Sequence, residues 1–259
     1  MLHLPKAKQW IKFTALALTL SWSALGYTVE NELVVSAAAS LTNAFKELGK
    51  KFESEKGVKV VFNFAASNNL LQQIEKGAPA DVFASADEAT VKKGVDSKAL
   101  LGESVKIFVS NSLVMVVPTD SQLGLTSTQQ LTGDTVKKIG IGSDNVPAGR
   151  YATESLTTDK LIDILKPKFI YADSVRQVLD YVQKAEVDAG FVYASDALVA
   201  KDKVKVVATL GNHTPILYPI AIVTDSQQKD LAEAFINLVR SEEGLKILTT
   251  FGFSKPDTK

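Results

Sequence analysis

Five places in the sequence put small or hydroxyl-bearing residues where a strand or loop leads into a helix. These junctions carry Ser40, Ser67, Ala148, Val175 and Tyr193. The first N–H groups of a helix have no partner within that helix, and the positive end of the helix dipole lies beside them. Such an end attracts anions. Each junction alone is more simply an ordinary helix start, but five together indicate an anion-binding site.

Two of these junctions carry further detail. Ser40 follows an apolar run, 33–35, and precedes a helical pattern, so we predict that its hydroxyl is the N-cap of that helix. Pro147 fits the first position of a helix, where no N–H is needed. Gly149 follows it and would let a ligand approach the backbone. The helical face after Ser40 consists of Leu41, Ala44, Phe45, Leu48 and Phe52.

The residues needed for catalysis are scarce. The chain has no cysteine and, beyond its first 26 residues, a single histidine, His213, in what we predict to be a surface turn. Asp81 and Asp87 flank a predicted strand, and Asp87 is better explained as a helix cap than as half of a catalytic pair. There is no phosphate-binding loop, no nucleophile elbow and no cluster that could hold zinc. We therefore predict no catalytic residues, no cofactor and no enzymatic activity.

The first 26 residues differ from the rest of the chain. Lys6, Lys8 and Lys12 precede an apolar run, 13–26, which ends in small residues and is too short for a comfortable membrane span. This pattern predicts a signal peptide cleaved before Tyr27. Without it the chain has 26 basic and 29 acidic residues. A mildly acidic chain argues against nucleic acid as a partner, and we expect an exported, soluble monomer.

Strands and helices alternate along the remainder, which predicts an α/β fold with mostly parallel sheets. Two strand-like runs, 107–117 and 217–223, could each cross between two such series. We therefore predict two lobes joined by two crossover strands. Residues 27–111 and 218–259 would form the first lobe, and residues 112–217 the second. A final helical pattern, 231–239, precedes the C-terminal tail.

The junctions also resemble, in order and spacing, those of the periplasmic molybdate-binding proteins of ABC importers. The resemblance covers the chain from residue 37 to residue 253 and is specific because six short motifs occur in the same order. The matching segments are Ala37–Ala44, Phe64–Ser67, Gly77–Phe83, Val146–Ala152, Ser174–Arg176 and Gly190–Ala197. Ala66, Asn68 and Asn69 depart from the pattern, since members of the family often carry serines around Ser67, and Ser174 stands where Asn is common.

The resemblance implies a two-lobed periplasmic-binding-protein fold of type II, with a tetrahedral oxyanion in the cleft between the lobes. It implies that Ser40 and Ser67 donate from the first lobe through hydroxyl and backbone N–H groups. From the second lobe, Ala148 and Val175 would donate backbone N–H groups and Tyr193 its phenol. The metal, molybdenum, would be bound as its oxyanion through these same residues.

The function implied by the resemblance is capture of molybdate, and of tungstate also, for the membrane permease of an ABC importer in the periplasm. Three alternatives stay open. The chain could be a receptor for another small oxyanion such as sulfate or phosphate, an exported hydrolase that acts on oxyanions, or the effector-sensing domain of a regulator. The scarcity of residues that could act as a catalytic acid or base argues against the hydrolase. The leader and the lack of a helix-turn-helix pattern disfavour the regulator.

Overall fold

The computed structural model describes residues 1–2 and 32–256. The predicted signal peptide therefore lies, apart from Met1 and Leu2, outside the described residues. The strands are β1 (Glu32–Ala38), β2 (Lys59–Ala65), β3 (Val82–Ala84), β4 (Lys106–Ser110), β5 (Leu113–Pro118), β6 (Ile139–Gly142), β7 (Phe169–Ala172), β8 (Ala189–Tyr193), β9 (Val204–Leu210) and β10 (Leu217–Ile222). The α-helices are α1 (Thr42–Lys56), α2 (Ser67–Glu75), α3 (Glu88–Asp96), α4 (Pro147–Thr158), α5 (Ile162–Leu165), α6 (Val175–Gln183), α7 (Ala194–Val199), α8 (Lys229–Arg240) and α9 (Glu242–Thr250).

The strands form two five-stranded sheets with the same plan. The first sheet has the order β2-β1-β3-β10-β4, and the second has the order β7-β6-β8-β5-β9. In the first sheet β1 runs parallel to β2 and β3, whereas β10 runs antiparallel to both of its neighbours. In the second sheet β6 runs parallel to β7 and β8, and β5 runs antiparallel to its neighbours. Both sheets are therefore mixed, because one strand in each runs against the parallel set.

We use "first lobe" for the first sheet with the helices packed on it, and "second lobe" for the second sheet with its helices. The chain passes from the first sheet to the second between β4 and β5, and returns between β9 and β10. Leu217 on β10 pairs with Ser110 on β4, and Ser110 also bridges to Ser254 near the C-terminus. The predicted boundaries, residues 27–111 and 218–259 against 112–217, stay a prediction.

The cores follow from the sequence pattern. The predicted face of α1 is confirmed, because Ala44, Phe45, Leu48 and Phe52 are all buried. The rings of Phe45 and Phe52 pack edge-on against Phe235 of α8, with centroids 5.9 Å and 5.4 Å away. This contact holds α8 against α1. The N-terminal and C-terminal parts of the chain thus share the core of the first lobe.

The end of the chain differs from the prediction, because α9 occupies much of the predicted tail. Ser241 ends α8 and caps α9, since its Oγ accepts a hydrogen bond from the Gly244 N–H at 3.0 Å. Glu242 and Glu243 then lie in the first turn, where negative charge is favourable. The tight corner needs glycine at 244, because an added Cβ would overlap the carbonyl oxygen of Leu238.

Gly149 has a packing role that the sequence did not predict. A Cβ added at Gly149 would overlap the carbonyl oxygen of Gly142 at the end of β6. The residue therefore lets the first turn of α4 lie directly against the strand. Close contact between a helix and a strand is a common reason for glycine at such a place.

We expect Gly149→Ala to lower the free energy of unfolding by about 1–3 kcal/mol, because the backbone of α4 or β6 must move. Urea denaturation measures this difference. Gly211→Ala is the matched control, since a Cβ there meets nothing within 4 Å, and it should change stability by less than about 1 kcal/mol. Equal stability of the two variants would contradict the packing role.

Candidate functional site

One small cavity collects all five residues that the junctions predicted. It is very small, since the centre of a water-sized sphere can reach only about 10 Å³ of it, against the 300–1,000 Å³ typical of pockets for drug-sized ligands. Its lining residues are Ala38, Ala39, Ser40, Ala65, Ala66, Ser67, Ala86, Val146, Pro147, Ala148, Val175 and Tyr193. They come from both lobes. The structure thus brings together Ser40, Ser67, Ala148, Val175 and Tyr193 around a space for one small ligand.

Three helices begin at this cavity. Ser67 is the first residue of α2, Val175 is the first residue of α6, and Ala148 follows Pro147 at the start of α4. N–H groups in the first turn of a helix have no partner within that helix. The cavity therefore faces backbone donors and the positive ends of three helix dipoles.

Ser40 does not cap a helix, which corrects the prediction. The strand β1 continues to Ala38, a turn of 3₁₀ helix covers Ala39–Leu41, and α1 begins only at Thr42. Ser40 lies inside the 3₁₀ turn, and neither this turn nor α1 has a side-chain cap. Its Oγ instead lies 3.0 Å from the Oη of Tyr218.

The hydroxyl of Ser67 has a defined role. Ser67 is fully buried, and its Oγ accepts a hydrogen bond from the Ala86 N–H at 3.0 Å. Ala86 follows β3, so this bond ties the start of α2 to the loop that precedes α3. Because the oxygen already accepts, the proton of Ser67 is available to a ligand.

Tyr193 supplies the third hydroxyl from the last residue of β8. It is only 1% exposed, and its Oη is buried without a hydrogen-bond partner among the described residues. A buried polar atom without a partner is costly, and a ligand in the adjacent cavity would satisfy it. Burial raises the pKa of the Tyr193 phenol well above its usual value. The side chain therefore stays protonated and can donate.

The lining residues of the cavity are all uncharged, although a guanidinium lies just behind them. Arg176 follows Val175 on α6 and contacts Asp196 Oδ1 at 2.5 Å. It also donates to Asn43 Oδ1 at 2.9 Å and to the carbonyl oxygen of Ser40 at 3.3 Å. Burial raises the pKa of Asp196, and Arg176 opposes that shift. The cation is thus engaged with its own partners and bridges the two lobes.

Other contacts also join the two lobes. Arg150 of α4 pairs with Asp87, the N-cap of α3, and donates to Thr90 Oγ1 at 3.3 Å. Asn68, one of the departures from the family pattern, donates to Asn145 Oδ1 at 2.8 Å. All three contacts run from one lobe to the other. The structure is therefore a closed form of the cleft.

The alternative chemistries find no support in the geometry. Asp81 accepts hydrogen bonds from the Val34 N–H and from Ser226 Oγ, and Asp87 caps α3. His213 has both ring nitrogens beside backbone carbonyl oxygens. Within residues 32–256 no group of three His, Cys, Asp or Glu residues could hold a metal ion. No described helix is both long and apolar enough to cross a membrane.

Sequence reasoning missed Tyr218, Asn111 and Arg176 as neighbours of the site. Tyr218 was part of a strand-like run, and its hydroxyl partner lies 178 residues away along the chain. Arg176 stands directly after Val175, so its position was visible but its contacts across the cleft were not.

Comparison with known proteins identifies the family. The sequence model of one family, the bacterial extracellular solute-binding proteins, matches residues 33–254. The chain belongs to this family. It is 37% identical to the molybdate-binding protein ModA of Escherichia coli over 261 residues, with 96% of this chain and 99% of that protein covered. It is 33% identical to ModA of Haemophilus influenzae, with 94% and 98% covered.

A solved structure agrees with these relatives. The periplasmic molybdate-binding protein of Azotobacter vinelandii superposes with a TM-score of 0.77 at 26% identity, with 87% of this chain and all of that chain covered. The predicted two-lobed, type II periplasmic-binding-protein fold is therefore confirmed. This solute-binding protein is not an enzyme, because its relatives are solute-binding proteins.

We expect the cross-lobe contacts of this solute-binding protein to favour closure. Arg150→Met removes the bonds to Asp87 and Thr90, so without ligand its radius of gyration should exceed that of the wild type in small-angle X-ray scattering. Arg240→Met is the matched control, because Arg240 is exposed in the last turn of α8. Identical radii for all three proteins would count against a closing role for Arg150.

Proposed function

We propose that this solute-binding protein captures molybdate, and tungstate also, and delivers it to the permease of an ABC importer. It works in the periplasm after cleavage of its leader near Tyr27. The observation that carries the proposal is the unpartnered, buried Oη of Tyr193 at a cavity where three helices begin. The molybdate-binding relatives support the choice of ligand.

The proposed site binds a dianion through neutral donors. Hydrogen bonds to a charged group contribute about 1.5–3 kcal/mol each, about twice as much as neutral ones. In this scheme the hydroxyls of Ser40, Ser67 and Tyr193 donate together with the backbone N–H groups of Ala148 and Val175. Several donors arranged around one small space suit an ion that has oxygens on every side. The helix dipoles add to this attraction without a cation in the lining.

Capture and closure are one event in this proposal. The first lobe provides Ser40 and Ser67, and the second provides Ala148, Val175 and Tyr193. An anion bound by both sets of donors stabilises the closed form, which the permease can distinguish from the open one. A receptor for sulfate or phosphate is the second candidate, since those oxyanions are also tetrahedral.

We expect Ser40→Ala and Ser67→Ala each to weaken molybdate binding by about 1–3 kcal/mol, or about fivefold to 150-fold in Kd, because an oxygen of the dianion loses a donor. Isothermal titration calorimetry of the purified protein measures this change. Ser155→Ala is the matched control, because Ser155 is buried with an unpartnered Oγ but does not line the cavity. Unchanged Kd in both site variants would remove these serines from the site.

Phosphate should bind about tenfold to a hundredfold more weakly than molybdate at pH 7. Hydrogen phosphate carries a proton that needs an acceptor, and leaving it unpaired costs about 1–3 kcal/mol. No carboxylate lines the cavity, Ser67 Oγ already accepts from Ala86, and Asp173 is exposed. Competition calorimetry checks the ratio, and equal affinity would mean that the site contains an acceptor.

The same donors make a prediction about pH. Molybdate affinity should be nearly constant from about pH 6 to 8.5, because the proposed donors keep their charge over that range. The raised pKa of Tyr193 keeps its phenol protonated beyond pH 8.5. A steep change of Kd within this window would show that a titrating group takes part in binding.

A further inference from the structure

Tyr218 lies behind the cavity and is bonded to one of its serines. Its side chain is fully buried on β10, and its ring packs edge-on against Tyr193 and Phe253, with centroids 5.8 Å and 5.4 Å away. These contacts fix the ring. Its Oη lies 3.0 Å from Ser40 Oγ, but Tyr218 is not part of the lining of the cavity.

Asn111 is the second hydrogen-bond partner of Tyr218 Oη. Its Oδ1 accepts from the Ser112 N–H at 2.9 Å, which fixes the orientation of the side-chain amide. Its Nδ2 then donates to Ser195 Oγ at 2.8 Å and to Tyr218 Oη at 3.3 Å. An amide nitrogen cannot accept a hydrogen bond. Tyr218 Oη is therefore the acceptor in this contact.

The hydroxyl protons of Tyr218 and Ser40 can now be assigned. Tyr218 Oη accepts from Asn111, and the described residues offer its buried proton no acceptor other than Ser40 Oγ, so the proton is directed there. Ser40 Oγ accepts that bond, so its proton is left for the cavity. Hydrogen bonds linked in this way polarise one another. Burial raises the pKa of Tyr218 well above its usual value, so the phenol keeps its proton.

We propose that Tyr218, oriented by Asn111, is a positioning residue that directs the hydroxyl proton of Ser40 toward the bound oxyanion. This inference rests on the proposed function. Asn111 lies between β4 and β5, and Tyr218 lies near the start of β10, so both stand where the chain crosses between the lobes. The orientation of a donor in the site thus depends on the arrangement of the two crossovers.

The test begins with Tyr218→Phe, which removes only the Oη. Calorimetry with sodium molybdate should show a Kd about tenfold higher than that of the wild type, the fold-change for one weakened donor to a charged group. Tyr181→Phe is the matched control. The Tyr181 hydroxyl also has a side-chain donor, Gln177 Nε2 at 2.8 Å, but lies on α6 outside the cavity lining. The Kd of Tyr181→Phe should equal that of the wild type.

A double-mutant cycle separates positioning from a structural role. If Tyr218 acts through the Ser40 hydroxyl, adding Tyr218→Phe to Ser40→Ala should change Kd less than twofold. An equal loss in both backgrounds would overturn the inference, as would a normal Kd for Tyr218→Phe alone. Failure of the wild type to bind molybdate would instead overturn the proposed function on which it rests.

Thermal unfolding of each variant checks that the fold is retained. If Tyr218→Phe does not fold, Asn111→Ala takes its place, because it removes the amide that donates to Tyr218 Oη. It should raise Kd about threefold in the wild-type background and leave Kd unchanged with Ser40→Ala. The same loss in both backgrounds would again overturn the positioning role.

Discussion

A buried hydrogen-bond donor must find an acceptor, and the arrangement of the cleft follows from this constraint. Each helix start leaves N–H groups without partners, and three such starts meet at one cavity with no charged residue in its lining. Water can satisfy these donors while the cleft is open. When the lobes close, an ion with oxygens on every side can satisfy these donors, whereas a ligand that presents donors of its own cannot. Selectivity is therefore a matter of which hydrogen-bonding groups the ligand presents.

Hydroxyl groups add a second requirement, because each of them both donates and accepts. For a hydroxyl to act as a donor toward an anion, another group must occupy its oxygen. The Ala86 N–H does this for Ser67, and the phenol of Tyr218 does it for Ser40. The groups around the site thus set the direction of its hydrogen bonds. They do so without placing charge beside the ligand.

The sequence predicted the features that depend on local patterns. Apolar runs located the strands, and the small residues at their ends located the junctions that line the cavity. The cap assigned to Ser40 was wrong, because Ser40 lies inside a 3₁₀ turn and α1 begins only at Thr42. Local propensity does not fix such boundaries. The packing role of Gly149 was missed, since the position of β6 against α4 is a tertiary contact. The helix α9 could have been found from Ser241, Glu242 and Glu243, which form a typical helix start.

The order of strands in the first sheet has a consequence for how the chain folds. The second sheet uses β5 to β9, which are consecutive in sequence, whereas the first sheet inserts β10 between β3 and β4. A chain that emerges N-terminus first can therefore complete the second sheet while the first still lacks β10. Contacts between distant parts of a chain form late, because closing a long loop costs entropy. The strand that carries Tyr218 is thus among the last to be placed, and the geometry around Ser40 is settled only when nearly all of the chain has emerged.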